Sequence, residues 1–382
     1  MDPHLPPPVA AALAALAAED APRAEPMLRE FLRAAPGSAP ALHALGLALH
    51  DQARFAEAEA VYREAERRGA DAALARHAIG LLRLLQGDFA AGWRGWEERR
   101  HIPALGLPRV PTPPWNGQPM PGGRLLILGE QGFGDIIQFA RFIPAAARQA
   151  RVPVTLGLPP ALQRLFAPLA QAAGVAIAPG TQLDPAGFDR MAFVCSLPAL
   201  FGTPPDAFAA AVPYLAAEAA AVAAWRRRRP ARLRCVGLCW EGRPTHPQDA
   251  RRSVLPAALR PLLDLPGTAL VGLQRPPLRR PGTGLVDLDW GPDIGDFADT
   301  AAMLLALDGL VTVDTALAHL AGSLGLPTVV LLPFVPDWRW GTAGEASRWY
   351  PSLRLARQPS PGDWAGAVAR AVALLRDGRA GQ

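Results

Sequence analysis

Three short stretches carry residue types suited to a phosphorylated substrate. GEQGFGD, Gly129 to Asp135, joins four apolar residues to a helix-length segment. Its glycines Gly132 and Gly134 let a ligand approach the backbone, and Asp135 places a carboxylate beside it. That carboxylate can reach into the cleft, or complement the dipole of the helix it begins. The second stretch, Val313 to Pro327, runs from a strand end at Asp314 and Thr315 into a helix of small residues. The first turn of such a helix, where Ala316 sits, offers backbone N–H groups and partial positive charge to a phosphate. Thr315 can cap the helix or donate to a phosphate oxygen, and His319 follows one turn later on the same face, as a ligand or as a core residue. The third, Trp240 to Ser253, is a polar loop with Arg251 and Arg252 near its end. The chain contains no lysine, so any side-chain cation for a diphosphate is an arginine, whose fork suits it.

Other chemistries fit less well. The glycine spacing is G-x-x-G-x-G, not the dinucleotide G-x-G-x-x-G, and the strand after it ends in Leu158-Pro159-Pro160 with no acid for a ribose. A P-loop needs a lysine. Asp287-Leu288-Asp289 spells the D-x-D of some metal-using sugar enzymes but closes a strand, so no metal site is expected. The cluster Phe334, Trp338, Trp340, Trp349 and Tyr350 could stack a base, although packing is the commoner use of tryptophan. Cys195, Cys235 and Cys239 make neither a disulfide framework nor a zinc set and read as buried thiols.

The 39 basic and 34 acidic residues leave a net charge of +5, with one arginine run, Arg226 to Arg229. That is too thin a basic face for nucleic acid. The apolar stretch Val9 to Ala18 is too short to span a bilayer and lacks a basic lead, so no membrane insertion and a cytoplasmic setting are expected. With 382 residues, 50% hydrophobic and 19% charged, the chain is folded and long enough for two or three domains.

Residues 1–105 show apolar residues at helical spacing and an internal repeat. Gly46 recurs as Gly80, Phe55 as Phe89, Ala58 as Gly92 and Tyr62 as Trp96, each at an offset of 34. This period resembles the tetratricopeptide repeat, with a degenerate earlier copy over Leu5 to Ser38. Pro103 to Gly123 holds seven prolines, marking a linker at 106–123 in which Trp115 should pack against the domain that begins near residue 124.

Short apolar runs then alternate with helix-length segments. Strands are expected at Leu125 to Leu128, Val154 to Leu158, Val175 to Ala178 and Met191 to Val194. A second series covers Cys235 to Trp240, Leu270 to Leu273, Leu285 to Leu288, Leu310 to Val313, Thr328 to Leu332 and Leu353 to Ala356. Helices are expected at Phe133 to Gln149, Pro160 to Ala173, Pro256 to Leu265, Asp296 to Leu307, Thr315 to Leu324 and Asp363 to Arg376. This alternation predicts two parallel, Rossmann-like α/β domains, 124–228 and 229–382, facing a cleft.

From about Leu125 onward the chain resembles glycosyltransferase family 9, the heptosyltransferase-like enzymes of the GT-B fold. The motifs that carry the resemblance are the glycine turn ending in Asp135, the loop ending in Arg252-Ser253, and D-T-x-x-x-H at Asp314, Thr315 and His319. Phe89, Trp93 and Glu97, followed by Pro114-Trp115, extend the resemblance to a bacterial subgroup in which tetratricopeptide repeats precede the transferase. The resemblance implies inverting, metal-independent transfer from a nucleotide-diphosphate sugar, a co-substrate, with no other cofactor. It makes Asp135 the general base and the backbone at Thr315 and Ala316, with Arg252, the diphosphate site. It further implies substrate contacts at Gly132, Gly134, Gln138, Trp240, Arg251, Ser253, Gln274, Asp314 and His319. Heptosyltransferases carry a lysine in the loop matched here by Arg251 and Arg252. The expected acceptor is a protein recruited by the repeats; the alternatives are a lipopolysaccharide or other glycolipid, and a non-catalytic scaffold.

Overall fold

The computed structural model describes residues 5–69, 71–202, 212–246, 248–282 and 284–377. The outermost bounds expected for the first and last domains, and Pro247 of the polar loop, lie outside the described residues. The chain divides into two units, Met1–Pro108 with Val335–Ala343, and Arg109–Phe334 with Gly344–Gln382.

The first unit contains helices α1 (Pro7–Ala17), α2 (Ala21–Ala34), α3 (Ala39–Asp51), α4 (Phe55–Arg67), α5 (Ala72–Gln86) and α6 (Phe89–Glu97), each packed on the next. Asp71 and Asp88 cap α5 and α6, and Gly87 ends α5 in the left-handed conformation that favours glycine. The 34-residue period has a packing basis. Gly46 on α3 lies flat against the Tyr62 ring on α4, and a methyl on Gly80 of α5 would come within 2.6 Å of Gly95 Cα on α6. The same offset relates two histidines, His43 with its ring 5.5 Å from Tyr62 and His77 with its ring 5.7 Å from Trp96.

Residues Val335–Ala343 also belong to this unit, so the expected unbroken domain over 229–382 is interrupted. Trp338 meets Trp93 edge-on at 5.5 Å and Trp96 at 5.6 Å, while Arg339 lies 4.2 Å from the Trp338 ring centre. Two members of the tryptophan cluster, Trp338 and Trp340, thus serve as packing for the helical unit.

The second unit holds two all-parallel sheets. The first contains β1 (Leu125–Leu128), β2 (Val154–Leu158), β3 (Val175–Pro179) and β4 (Arg190–Phe193), in the order β3-β2-β1-β4. The second contains β5 (Arg234–Cys239), β6 (Thr268–Gly272), β7 (Leu288–Asp289), β8 (Gly309–Val313), β9 (Thr328–Leu332) and β10 (Leu353–Arg357), in the order β10-β9-β8-β5-β6-β7. Strand order reverses between β1 and β4 and between β5 and β8, and in such sheets ligands bind beyond the carboxyl ends at these points. All residues of β1, β8 and β9 are buried, as expected for parallel strands covered on both faces.

Proline accounts for two departures from the expected helices. Phe133 to Gln149 is broken into α7 (Phe133–Phe139), a 3-10 turn at Ala140–Phe142, and a helix Ile143–Ala150 that opens with Pro144. Pro256–Asp264 is a 3-10 helix with Pro261 inside it, where an α-helical N–H is missing. The expected strand at Leu285 to Leu288 pairs only at Leu288–Asp289. Within the linker, Trp115 is buried, donates its backbone N–H to Met191 O at 2.6 Å and its indole N–H to Gln118 O at 2.7 Å.

The chain also crosses to the second sheet earlier than residue 228. Tyr214 N–H donates to Ser323 O at 3.0 Å, and helix Ala219–Arg226 packs on helix Phe297–Leu305. The arginine run finishes that packing: Arg226 donates to Leu305 O at 3.2 Å and Arg229 to Ala306 O at 3.0 Å, satisfying carbonyls at a helix C-terminus. Among the described residues, no helix is long and apolar enough to cross a membrane. All three cysteines are buried and outside any disulfide; burial pushes the Cys239 thiol up to about 11.

Candidate functional site

The three sequence stretches all leave the carboxyl ends of strands at the reversal points. The glycine turn follows β1, the polar loop follows β5, and Asp314-Thr315 follows β8. They converge on the N-terminus of helix Ala316–Ser323. A methyl on Gly134 would come within 2.9 Å of His319 Cδ2 and 3.3 Å of Ala316 Cα, so only glycine lets α7 approach this helix. From the other side, Arg252 Nη1 donates to Asp314 O at 3.0 Å.

Asp135 is half-buried, and its Oδ2 accepts the Gly132 N–H at 2.9 Å. It therefore does complement its own helix. The cap also fixes the carboxylate, and a carboxylate has about four lone-pair sites, so capping does not exhaust it. Thr315 is the N-cap of Ala316–Ser323, its hydroxyl accepting the Leu317 N–H at 3.3 Å. His319 is buried, with Nδ1 3.0 Å from the Tyr350 hydroxyl.

The polar loop is built around buried charge. Glu241 and Asp249 are each under a twentieth exposed. Glu241 accepts the Arg279 N–H at 3.1 Å, and Asp249 is bound by the Arg279 guanidinium and lies 3.5 Å from Arg252 Nε. Gly242 is held to glycine, since a methyl there would come within 2.6 Å of Arg252 Nη2. Arg252 is thus pinned by Asp249 and Asp314 O beside the helix N-terminus, while Arg251 is half-buried on the same short helix, Asp249–Arg252. Ser253 is buried and accepts the Gly242 N–H at 3.1 Å, closing the loop on itself.

Three residues expected to touch substrate are buried or bonded to the protein backbone. Gln138 is fully buried on α7. Trp240 is buried, its indole N–H donating to Arg280 O at 2.9 Å. Gln274 binds the backbone of the loop, accepting the N–H groups of Trp240 at 3.2 Å and Glu241 at 3.1 Å and donating to Glu241 O at 3.1 Å. Asp287 and Asp289, the D-x-D pair, accept backbone N–H groups of Leu270 at 2.7 Å and Gly291 at 3.0 Å.

Residue type and spacing did not single out Glu130, Arg141, Tyr214, Glu241 and Asp249, and marked Tyr350 only as one of a cluster of rings that could stack a base. Glu130, inside the glycine motif, accepts the Cys195 N–H at 3.2 Å and joins the ends of β1 and β4. Arg141 bridges the two sheets' layers, donating to Gln138 O at 3.0 Å and Trp349 O at 2.8 Å. Near the glycine turn, Phe133 packs edge-on against Phe297 at 5.1 Å, and Arg164 pairs with Asp296 at 2.8 Å and Asp299 at 3.2 Å.

No family model matches the chain. Protein FlbA of Caulobacter vibrioides is 29% identical over 381 residues, covering 91% of this chain. The chain spans 63% of the length of that curated relative. Among solved structures, E. coli ADP-heptose lps heptosyltransferase II matches 66% of this chain and 99% of its own, with 14% identity and a TM-score of 0.43. The iron-containing dodecameric glycosyltransferase TibC of enterotoxigenic E. coli matches 65% of this chain and 67% of its own, at 11% identity and a TM-score of 0.44. A mutant O-GlcNAc transferase of Thermobaculum terrenum matches 97% of this chain and 91% of its own, at 14% identity and a TM-score of 0.30.

Proposed function

We propose that the chain is a glycosyltransferase that moves a sugar, with inversion, from a nucleotide-diphosphate donor to an acceptor hydroxyl. The observation that carries this reading is the convergence of Asp135, Arg252 and the Thr315-capped helix on one place between two parallel sheets. In this reading the diphosphate lies at the helix N-terminus, held by the backbone N–H of Ala316, the Thr315 hydroxyl and the Arg252 guanidinium. Asp135 takes the proton of the acceptor hydroxyl as that oxygen bonds to the anomeric carbon. The bond from that carbon to the diphosphate breaks, and the diphosphate leaves with the electron pair. Fixed donors at the departing oxygens stabilise the charge they gain, with no metal assigned a part. A positioned base of this kind contributes about 10² to 10⁴ in rate.

The acceptor in this reading is a protein, bound by the stacked helices of the first unit, which make a surface suited to peptides. A glycolipid acceptor keeps the same donor chemistry. Asp135→Asn tests the reading: it keeps shape and the cap on Gly132 but removes the base. Turnover of the nucleotide sugar should fall at least about 100-fold with nucleotide affinity unchanged. Unchanged turnover overturns the assignment of the base.

A further inference from the structure

We infer that Arg279, on the loop after β6, is a positioning residue for Arg252: by holding the buried carboxylate of Asp249 it leaves the Arg252 guanidinium available to an anion at the N-terminus of helix Ala316–Ser323. The anion rests on the transferase reading above; the sharing of charge does not.

Three arginines and two carboxylates meet where the loops after β5 and β6 touch. The Asp249 and Glu241 side chains are each 3% exposed, and a buried acid left without a cation is costly. Each has a partner on the loop after β6. Asp249 Oδ2 is bound by the Arg279 guanidinium, and Glu241 Oε2 lies 3.9 Å from Arg280 Nη1. Arg252 is the surplus cation of the group. Its Nε stands 3.5 Å from Asp249 Oδ1 without a hydrogen bond, and its Nη1 donates to Asp314 O, a carbonyl with no net charge to offset its own.

The chain holds Arg279 in this place from both sides. Its backbone N–H donates to Glu241 Oε1 at 3.1 Å, the next carbonyl, Arg280 O, accepts the Trp240 indole N–H at 2.9 Å, and a methyl on Gly282 would come within 2.7 Å of the Trp240 ring. The Arg279 side chain, 39% exposed, thus reaches inward from the surface to a buried acid. Asp249 and Arg252 are crowded together under Gly242, where a methyl would come within 2.5 Å of Asp249 Oδ1 and 2.6 Å of Arg252 Nη2. Without Arg279, the cation left beside Asp249 is Arg252, and a small rotation closes its Nε on Oδ1. Its charge is then offset by a buried carboxylate, and its pull on a phosphate weakens.

The test pairs a loss with its rescue. Calorimetry with ADP, UDP, GDP and CDP on the full chain should show the nucleotide that binds the wild type binding Arg279→Ala at least about tenfold more weakly. Adding Asp249→Asn to Arg279→Ala should recover most of that loss, because the carboxylate that captures Arg252 is gone. Full affinity in Arg279→Ala, or a double variant no better than the single one, overturns the inference; the second result makes Arg279 a ligand contact or a loop-folding residue. A second readout needs no ligand. The Arg252 Nε–H signal, in the full chain labelled with ¹⁵N-arginine and assigned by its loss in Arg252→Lys, should move downfield in Arg279→Ala and return in the double variant, and an unmoved signal overturns the inference. If no nucleotide binds the wild type, the donor-site reading fails and this signal alone decides the sharing of charge. Should Arg279→Ala not fold, Arg279→Gln, neutral but able to donate to Asp249, replaces it in both measurements. Failure of that variant also to fold makes Arg279 a folding residue and overturns the inference.

Discussion

Gly134 and His319 stand so close that a single methyl group on the glycine would come within 2.9 Å of the imidazole Cδ2. The glycine turn after β1 and the helix after β8 belong to different sheets, and this contact is where they meet. Gly134→Ala must push α7 away from helix Ala316–Ser323 or distort both. Overpacking of this kind costs about 1–3 kcal/mol. The expected result is a modest loss of stability, measured by chemical denaturation, with a larger loss in kcat/KM, since Asp135 moves away from the helix N-terminus. Full activity in Gly134→Ala would mean that the two motifs do not act on one substrate.

Arg252 and Arg251 should differ sharply. Arg252 donates to Asp314 O and lies 3.5 Å from Asp249, which holds its guanidinium beside the helix N-terminus. A hydrogen bond to a charged group contributes about 1.5–3 kcal/mol, so Arg252→Ala should weaken nucleotide-diphosphate binding by at least about tenfold in calorimetry. Arg252→Lys should recover only part of it, because an ammonium cannot serve the carbonyl and a phosphate in the same fork. Equal effects from Arg251→Ala and Arg252→Ala would contradict this assignment.

The helical unit should lose stability in mild acid. Burial lowers the pKa of His77 from 6.5 to about 4 and also lowers that of His43. Between those values the unfolded chain binds a proton that the folded one refuses, so stability rises with pH across the window and falls as pH drops from about 6.5 to 4. For His77 alone the loss approaches about 3 kcal/mol at the lower end. Urea unfolding of the wild type at pH 7 and pH 5 should show the loss, and His77→Gln should flatten the pH dependence. A flat wild-type profile would count against burial of these rings.

Deleting residues 1–105 should not give a clean transferase. The deletion removes Trp93 and Trp96, the partners of Trp338, and leaves the rings of Val335–Ala343 uncovered. The truncated chain is expected to bind a hydrophobic dye and aggregate, and replacing Trp338 and Trp340 with serine in that background should raise its soluble yield. A soluble, dye-silent truncation would show that these rings find other cover.

The strands and the three converging motifs were readable because their signals are local. β1, β8 and β9 are unbroken apolar runs whose burial on both faces leaves no polar residue to blur the pattern. The 34-residue repeat was readable for the same reason, since Gly46 and Tyr62, and Gly80 and Trp96, each meet within one helix pair. What escaped was long-range. Arg141 finds Tyr214, Trp349 and Tyr350 across up to 209 positions, and nothing near Arg141 in the chain marks it as a buried cation. Trp240 and Gln274 also bond backbone groups far away in the chain, and Gln138 is buried, none of which residue type and position alone reveal. Val335–Ala343 looks like any loop between β9 and β10 until Trp93 and Trp96 are beside it.

The central claim is that a nucleotide diphosphate sits at the Thr315-capped helix beside Arg252. Its most direct test is thermal unfolding of the full chain with ADP, UDP, GDP and CDP in turn, alongside Arg252→Ala and Thr315→Ala. A ligand at about 100 times its Kd adds about 2.7 kcal/mol of stability. The account predicts that one of the four raises the Tm of the wild type and that both variants lose the rise. No rise with any nucleotide in a folded wild type, or a rise that both variants keep, would contradict it and favour a non-catalytic scaffold.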